Sequence, residues 1–342
     1  MRADRLPTAA APAGARGGPA GRVRLTQRPW WPWLRRLGSA AFFALVAYLL
    51  LAQARSIEWG RVLTALRDYP LRASWGALAL AVASHGLYSC FDLLGRHYTG
   101  HTLPARSVVW VTFVSYAFNL NLGSWVGGIA FRYRLYSRLG LALGTITRVM
   151  SLSMLANWIG YLLLAGAVYA LQPPLLPASW KIDSAQLRLL GAVLLALALA
   201  YLAACALSRQ RSFVLRGHTV ELPSLRLAAL QVGMGAANWL LMSGIVFVLL
   251  QQRIDFFSVA SVLLVAAIAG VITHIPGNLG VLEAVFVALL AHRLPQHELL
   301  AALVAYRLVY YLLPLLLATL ACLALEARLR AGKADGLKAQ SR

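Results

Sequence analysis

The sequence predicts an all-α polytopic membrane protein with about six full transmembrane helices and two opposed re-entrant helical hairpins. Three observations predict it. Of 342 residues, 60% are hydrophobic and 13% charged, with a mean hydropathy of +0.68; soluble globular domains do not have this composition. Apolar runs near the length of about 20 residues that crosses a bilayer alternate with clusters of arginine. Two further apolar segments are interrupted by Asn, Gly and Pro, around Asn119–Gly128 and Thr273–Glu283.

The elements follow in order. Residues 1–36 are rich in Ala, Pro, Gly and Arg and read as a disordered, basic cytoplasmic tail. Arg28, Arg35 and Arg36 stay on the positive inner side, and Trp30, Trp31 and Trp33 mark the headgroup level. The region 37–325 is the membrane domain. Its first span is Leu37–Ala54, read as a retained helix although Ala52-Gln53-Ala54 resembles a signal-peptidase site. Arg55–Arg72 is an amphipathic connection along the outer surface, with Trp59, Val62, Leu63 and Leu66 on one side.

Ala73–Leu94 carries His85, Tyr88 and Asp92 at helical spacing and returns to Arg96 and Arg106 inside. Thr145–Leu171 runs outward to a Pro-rich loop, and Gln186–Leu207 returns to an inner loop holding Arg209, Arg211, Arg216 and Arg226. Leu227–Leu250 crosses outward and Leu299–Leu325 inward, ahead of a basic cytoplasmic tail at 326–342. Both termini are then cytoplasmic.

Two segments do not read as simple spans. If Ser107–Leu122 crossed the membrane, Arg132, Arg134, Arg138 and Arg148 would lie outside. A turn back at Asn119-Leu120-Asn121-Leu122-Gly123-Ser124 keeps all four inside, and Gly127 and Gly128 help the chain to turn. The alternative is an ordinary span with an arginine-rich outer loop. Phe256–Ile272 and Val281–Leu290 flank Thr273-His274-Ile275-Pro276-Gly277-Asn278-Leu279-Gly280, where Pro276 lacks an N–H and the glycines lack a Cβ. Broken backbone at membrane depth must be buried in protein or line a wet cavity, and in transporters it marks binding sites. The alternative here is a tight connection between two ordinary helices. Asn121-Leu122-Gly123 and Asn278-Leu279-Gly280 echo one another on hairpins entered from opposite sides, the pattern of an inverted repeat.

The intramembrane charges Asp92, Arg132, Glu283 and Arg307 need a reason, since each costs about 2.5–3.5 kcal/mol on insertion scales. Arg307 is expected to pair with Glu283, while Asp92 and Arg132 read equally as anchors at the inner headgroups. Asn119, Asn121 and His274 are their uncharged polar neighbours; Asn157 and Asn238 read as hydrogen-bonding glue between helices. Phosphate-loop, zinc-protease and nucleophile-elbow patterns are missing, so no enzyme activity, cofactor or metal is expected. The net charge of +21 falls at span ends, which points to topology and anionic lipid rather than nucleic acid. Cys90, Cys205 and Cys322 lie in apolar runs without metal-type spacing and read as small core residues.

Pro276-Gly277-Asn278-Leu279-Gly280-Val281-Leu282-Glu283 resembles the Pro-Gly-x-x-Gly-x-x-Glu signature of the lysylphosphatidylglycerol synthase/flippase transmembrane-domain family. Gly127-Gly128-Ile129-Ala130-Phe131-Arg132 resembles that family's earlier Gly-Gly-x-x-x-Arg segment, preceded by Asn119 and Asn121. Two departures stand out: Gly123 where the family commonly has proline, and Ile129 where it often has an acid.

The resemblance implies the flippase-like half of that family without its aminoacyl-transferase domain, in a bacterial inner membrane. A translocator would hold a lipid headgroup among Asn119, Asn121, Gly127, Gly128, Arg132, His274, Pro276, Gly277, Asn278, Gly280, Glu283 and Arg307. Arg132 would grip the phosphate and Glu283 would bind an amine or balance Arg307. The expected partners are membrane lipids with anionic or aminoacylated headgroups, and a second copy or a lipid enzyme. A non-transporting membrane scaffold for a lipid-modifying or envelope-biogenesis enzyme is the other reading; a membrane-embedded transferase is disfavoured because paired acids are lacking.

Overall fold

The structure, a computed structural model, describes residues 69–174, 183–208, 212–215 and 218–324, together with Gly60, Thr64 and Arg67. The expected first span Leu37–Ala54, both basic tails and most of Arg55–Arg72 lie outside the described residues. Within them, six helices are long and apolar enough to cross a membrane: Leu71–Thr99, Leu143–Leu171, Ser184–Leu207, Leu225–Leu249, Phe256–Thr273 and Gln296–Ala324. Five match expected spans to about a turn. The sixth, Phe256–Thr273, is the hairpin arm that the sequence reading treats as too marginal. Its 18 residues span about 27 Å as a helix, close to the roughly 30 Å of a hydrocarbon core.

Helix α1 (Leu71–Ser89) passes through Cys90 into α2 (Phe91–Thr99), which stops at left-handed Gly100. Helix α3 (Ala105–Leu122) ends at Gly123, whose φ of 83° breaks the helix. The chain winds back through a π-helical stretch, Ser124–Ala130, into α4 (Phe131–Arg138). A Cβ on Gly127 would lie 2.2 Å from the Phe118 carbonyl, so only glycine lets the returning arm close on α3. The Phe118 and Phe131 rings then stack with centroids 4.2 Å apart. The chain therefore breaks at Gly123 and folds back on α3.

Helices α5 (Leu143–Leu171), α6 (Ser184–Leu207) and α7 (Leu225–Leu249) follow. Asp183 and Gln186 form a capping box that starts α6. Helix α6 leaves Leu189, Leu197 and Leu199 exposed, the side that hydrocarbon would cover. Helices α5 and α7 approach until a Cβ on Gly235 would sit 2.1 Å from the Ala156 carbonyl oxygen. Small residues at such crossings give membrane helices the packing contact that water cannot drive.

Where the sequence reading has a plain inner loop, strands β1 (Ser212–Leu215) and β2 (His218–Glu221) pair antiparallel, Phe213 opposite Val220. The β-branched and aromatic residues there favour a ladder over coil.

The second hairpin is built from α8 (Phe256–Thr273) and α9 (Val281–Leu290), joined by a 3-10 turn at Pro276–Asn278. Its open end is fastened: Asp255 caps Ser258 N at 2.9 Å and accepts from Arg293 Nη1 at 3.0 Å. Helix α10 (Gln296–Arg307) continues through a π turn, Leu308–Leu312, in the span that reaches Ala324. Tyr161 donates to the Leu264 carbonyl at 3.0 Å and fixes α8 against α5. The main core gathers Phe91, Tyr116, Trp239, Phe286, Leu303 and Tyr306 between these helices.

Candidate functional site

The tip of the second hairpin is held by one side chain. Gly277, Asn278 and Gly280 all have left-handed backbones (φ 64°, 50° and 77°), so their peptide groups cannot continue a helical ladder. Arg307, reaching over from α10, supplies the missing donors. Its Nη1 donates to Gly277 O and its Nη2 to Asn278 O, both at 2.7 Å. The same guanidinium meets Glu283 through Nε–Oε1 at 2.5 Å and Nη2–Oε2 at 3.0 Å. The face of Tyr311 lies 5.4 Å from its carbon centre. Glu283 stands in the first turn of α9, where a helix N-terminus favours an anion. A planar five-donor fork can serve two carbonyls and a carboxylate at once; an ammonium cannot match that geometry. The pairing of Arg307 with Glu283 follows the sequence expectation, and the two loop carbonyls are additional.

The first hairpin carries a second pair. Arg132, on α4, is 1% exposed and Asp92, on α2, is fully buried. Nε and Nη2 of Arg132 reach the two oxygens of Asp92 at 3.1 and 3.3 Å, and Tyr136 donates to the same carboxylate at 2.8 Å. Ser153 and the Tyr88 ring complete the surroundings of the guanidinium. Arg132 therefore stands with its fork on Asp92, inside protein. Each supplies the opposite charge that a buried ion needs.

The hairpin tips meet. A Cβ on Gly277 would lie 3.4 Å from Asn121 O and 3.6 Å from Leu120 O. Asn121 Nδ2 donates back to Ala117 O at 2.9 Å and across to Tyr311 O at 3.1 Å. In each hairpin an asparagine side chain covers a glycine of the opposite arm: Asn119 over Gly128, and Asn278 over Gly270. Beside the junction lies a cavity of about 170 Å³, lined by Asn119, Asn157, Asn278, Tyr88, Tyr116 and Tyr306 among others. The residues on this lining bring asparagine amides, tyrosine hydroxyls and the Ser124 hydroxyl beside the broken backbone.

Of the residues expected at a site, Asn119 and Asn278 line this cavity, with Asn121 and Gly277 at the junction above it and Glu283 and Arg307 fastening the loop. Gly127 and Gly128 permit close packing. Pro276 opens the tip turn, and Gly280 begins α9. His274 is not among the cavity residues; it is exposed, ends α8, and its Nδ1 contacts Ile272 O. Sequence reasoning missed the tyrosines: Tyr88 and Tyr116 stack at 3.6 Å, and Tyr116, Tyr310 and Ser84 share hydrogen bonds of 2.8 Å. The signal was present in Ser84, His85, Tyr88 and Asp92 along one helix, where a polar stripe within an apolar span requires polar neighbours. Among the described residues no three His, Cys, Asp or Glu side chains come together as metal ligands.

Comparison with known proteins agrees with this architecture. Residues 37–318 match the family described as lysylphosphatidylglycerol synthase TM region. The chain is 46% identical over 301 residues to Inner membrane protein YbhN of Escherichia coli (strain K12), covering 88% of this chain and 95% of that protein. It is 30% identical over 303 residues to the uncharacterized protein slr0712 of Synechocystis sp., covering 86% and 94%. Six apolar helices and an inner-membrane relative make this a multi-pass inner-membrane protein. The chain belongs to the lysylphosphatidylglycerol synthase transmembrane-region family.

Proposed function

We propose that the protein moves a polar-headed lipid between leaflets, with the headgroup passing through the cavity beside the two hairpin tips. The observation that carries this reading is a cavity lined by Asn119, Asn157, Asn278 and several tyrosines, beside the broken backbone of the second hairpin tip. Non-helical backbone at membrane depth belongs in such a place. The two hairpins enter from opposite sides in this reading, with both chain termini in the cytoplasm.

The headgroup is held by neutral groups. Arg132 and Arg307 both have carboxylate partners, and neither lines the cavity. The asparagines and the tyrosine hydroxyls offer hydrogen bonds to phosphate oxygens and amines alike. Selection by lipid charge is accordingly weak, in contrast to the strong anion preference that a free arginine would give. No nucleotide-binding motif occurs in the sequence, so movement is downhill or ion-coupled.

The test is reconstitution into liposomes with fluorescent phosphatidylglycerol and phosphatidylethanolamine, and dithionite quenching of the outer leaflet. Asn119→Leu and Tyr306→Phe each take a polar group off a residue of the cavity lining with little change of volume, so both variants should fold and lose most lipid movement. Wild-type liposomes no faster than protein-free ones would end this reading and favour a non-transporting scaffold.

A further inference from the structure

We infer that a second pocket, at the end of the bundle where α1 and α10 begin and α7 ends, binds a phosphoethanolamine-type zwitterion, its phosphate on Arg253 and its ammonium on Glu298. The pocket encloses about 520 Å³, within the range of small-molecule sites. Among the described residues it shares none with the lining of the hairpin cavity. Leu249, Leu250 and Leu294 give it carbon walls, and Arg253 and Glu298 give it charge. The Arg253 side chain is 49% exposed and that of Glu298 33%, so both charges are open to a ligand.

The backbone that presents Arg253 is strained. Gln251 and Gln252 both take left-handed conformations, with φ of 52° and 59°. Residues with a side chain adopt that region at a cost, and such costs cluster at functional sites. Directly after α7 they turn the chain and bring Arg253 onto Glu298, in the first turn of α10. Trp75, in the second turn of α1, is 67% exposed. Exposed tryptophan on a membrane helix collects at the headgroup level, which sets this end of α1 and the pocket beside it near that level.

One cation beside one anion selects the occupant. An anion alone is drawn by Arg253 and repelled by Glu298, and a cation alone meets the reverse; a zwitterion satisfies both. Among the described residues the guanidinium bonds Glu298 through Nη1 only, which leaves donors for the forked grip of a guanidinium on phosphate. A primary ammonium brings three donors for the carboxylate. Exposed ion pairs contribute little, so a ligand parts these two at small cost. In phosphoethanolamine a short ethylene link joins the two charges, which suits neighbouring partners. A phospholipid headgroup and soluble glycerophosphoethanolamine share that chemistry, and the carbon walls favour the lipid. The inference stands whether or not the protein transports.

The experiment uses full-length protein in phosphatidylcholine nanodiscs and a phosphatidylethanolamine probe with a diazirine at the start of its acyl chain. Phosphatidylcholine is the reference lipid because its quaternary ammonium cannot donate a hydrogen bond to Glu298. Labelling is expected in the peptides covering residues 249–253 and 294–301. The unlabelled competitors are dioleoylphosphatidylethanolamine, its N-acetylated form, which keeps the phosphate and loses the ammonium, and glycerophosphoethanolamine. Competition by the amine lipid about tenfold stronger than by its N-acetylated form supports the inference. Glycerophosphoethanolamine competing as well as the lipid would make the source soluble; weak competition by it would make the source the membrane. Both variants Arg253→Gln and Glu298→Gln change exposed side chains and should fold. Glu298→Gln removes the ammonium's partner and frees Arg253, so it should abolish the preference for the amine lipid. Arg253→Gln should weaken competition by both lipids. Equal competition by the amine and N-acetylated lipids in wild type would show an ordinary boundary lipid and overturn the inference. So would an unchanged preference in Glu298→Gln, unchanged competition in Arg253→Gln, or no labelling of these peptides in wild type.

Discussion

Replacing Arg307 with methionine should damage the protein more than replacing Glu283 with glutamine, and the double change should fall between them. The geometry sets this order. Arg307→Met strands a carboxylate and also the carbonyls of Gly277 and Asn278. Breaking a buried pair from one side costs about 3–5 kcal/mol, and each orphaned carbonyl adds about 1–3 kcal/mol. The side chains are 13% and 16% exposed, so the ion-pair part belongs at the low end of its range. Glu283→Gln leaves the guanidinium two carbonyls and an amide oxygen, a milder loss of about 2–3 kcal/mol for weaker hydrogen bonds. In the double variant no carboxylate is stranded, but the loop carbonyls remain unmet, so it recovers only part of the Arg307→Met loss. Thermal melting of detergent-solubilised protein, at matched expression, reads all four states. Additive losses, or a Glu283→Gln variant less stable than Arg307→Met, would refute the clamp.

Three further outcomes are expected. With an impermeant thiol reagent on intact cells, Gln252→Cys should label while Ser137→Cys does not, both positions being exposed; ready labelling of Ser137→Cys would make the first hairpin an ordinary span. Arg132→Gln should lower melting as a stranded buried Asp92 requires, by about 3–5 kcal/mol, and Asp92→Asn in the same chain should restore part of it; no restoration would separate the pair. Partial burial pushes the Asp255 carboxyl up, but hydrogen bonds from Ser258 and the Arg293 guanidinium outweigh it and hold it below its usual range. A depressed folded value adds stability above the unfolded pKa of about 3.9 and loses it as pH falls through the folded value. Asp255→Asn keeps the cap but not the charge, so it should melt slightly lower from pH 8 to 5, by at most about 1 kcal/mol at this exposed site, and equally with wild type once the pH is below the folded value.

The spans were legible because lipid imposes one rule, a long apolar helix flanked by arginine, and five helices obey it. Gly123 and the Pro276–Gly280 run were legible as breaks because glycine, and asparagine more readily than most, accept a positive φ, while proline lacks the N–H that a helix interior uses. The pairing of Glu283 with Arg307 could be read because two unlike charges in one hydrophobic region have few other places to go. Asp92 and Arg132 obey that logic equally, yet both lie near span ends, where an interfacial position looked as good. Their pairing depends on the return of α4 beside α2, which no spacing of 40 residues encodes. The β1–β2 pair hid behind the basic charge of its loop. The tyrosine cluster was hidden differently: aromatic residues in an apolar span look like core until their hydroxyls are found facing one another.

The two ion pairs do equivalent work on the two hairpins. Each ties a hairpin to a neighbouring element outside it, Arg132 on α4 to α2 and Glu283 on α9 to α10. A broken helix needs such ties, because its own backbone no longer supplies all the hydrogen bonds of a continuous one. Arginine at the end of the Gly-Gly-x-x-x-Arg segment and glutamate at the end of the Pro-Gly-x-x-Gly-x-x-Glu segment are thus matched in role, each reaching an opposite charge on another helix. Reading either motif as a charged ligand set overlooks that demand. Once it is met, the polar side chains left on the cavity lining are amides, phenols, indoles and the Ser124 hydroxyl, so under the proposed function a lipid headgroup would be recognised there through hydrogen bonds rather than through a fixed charge.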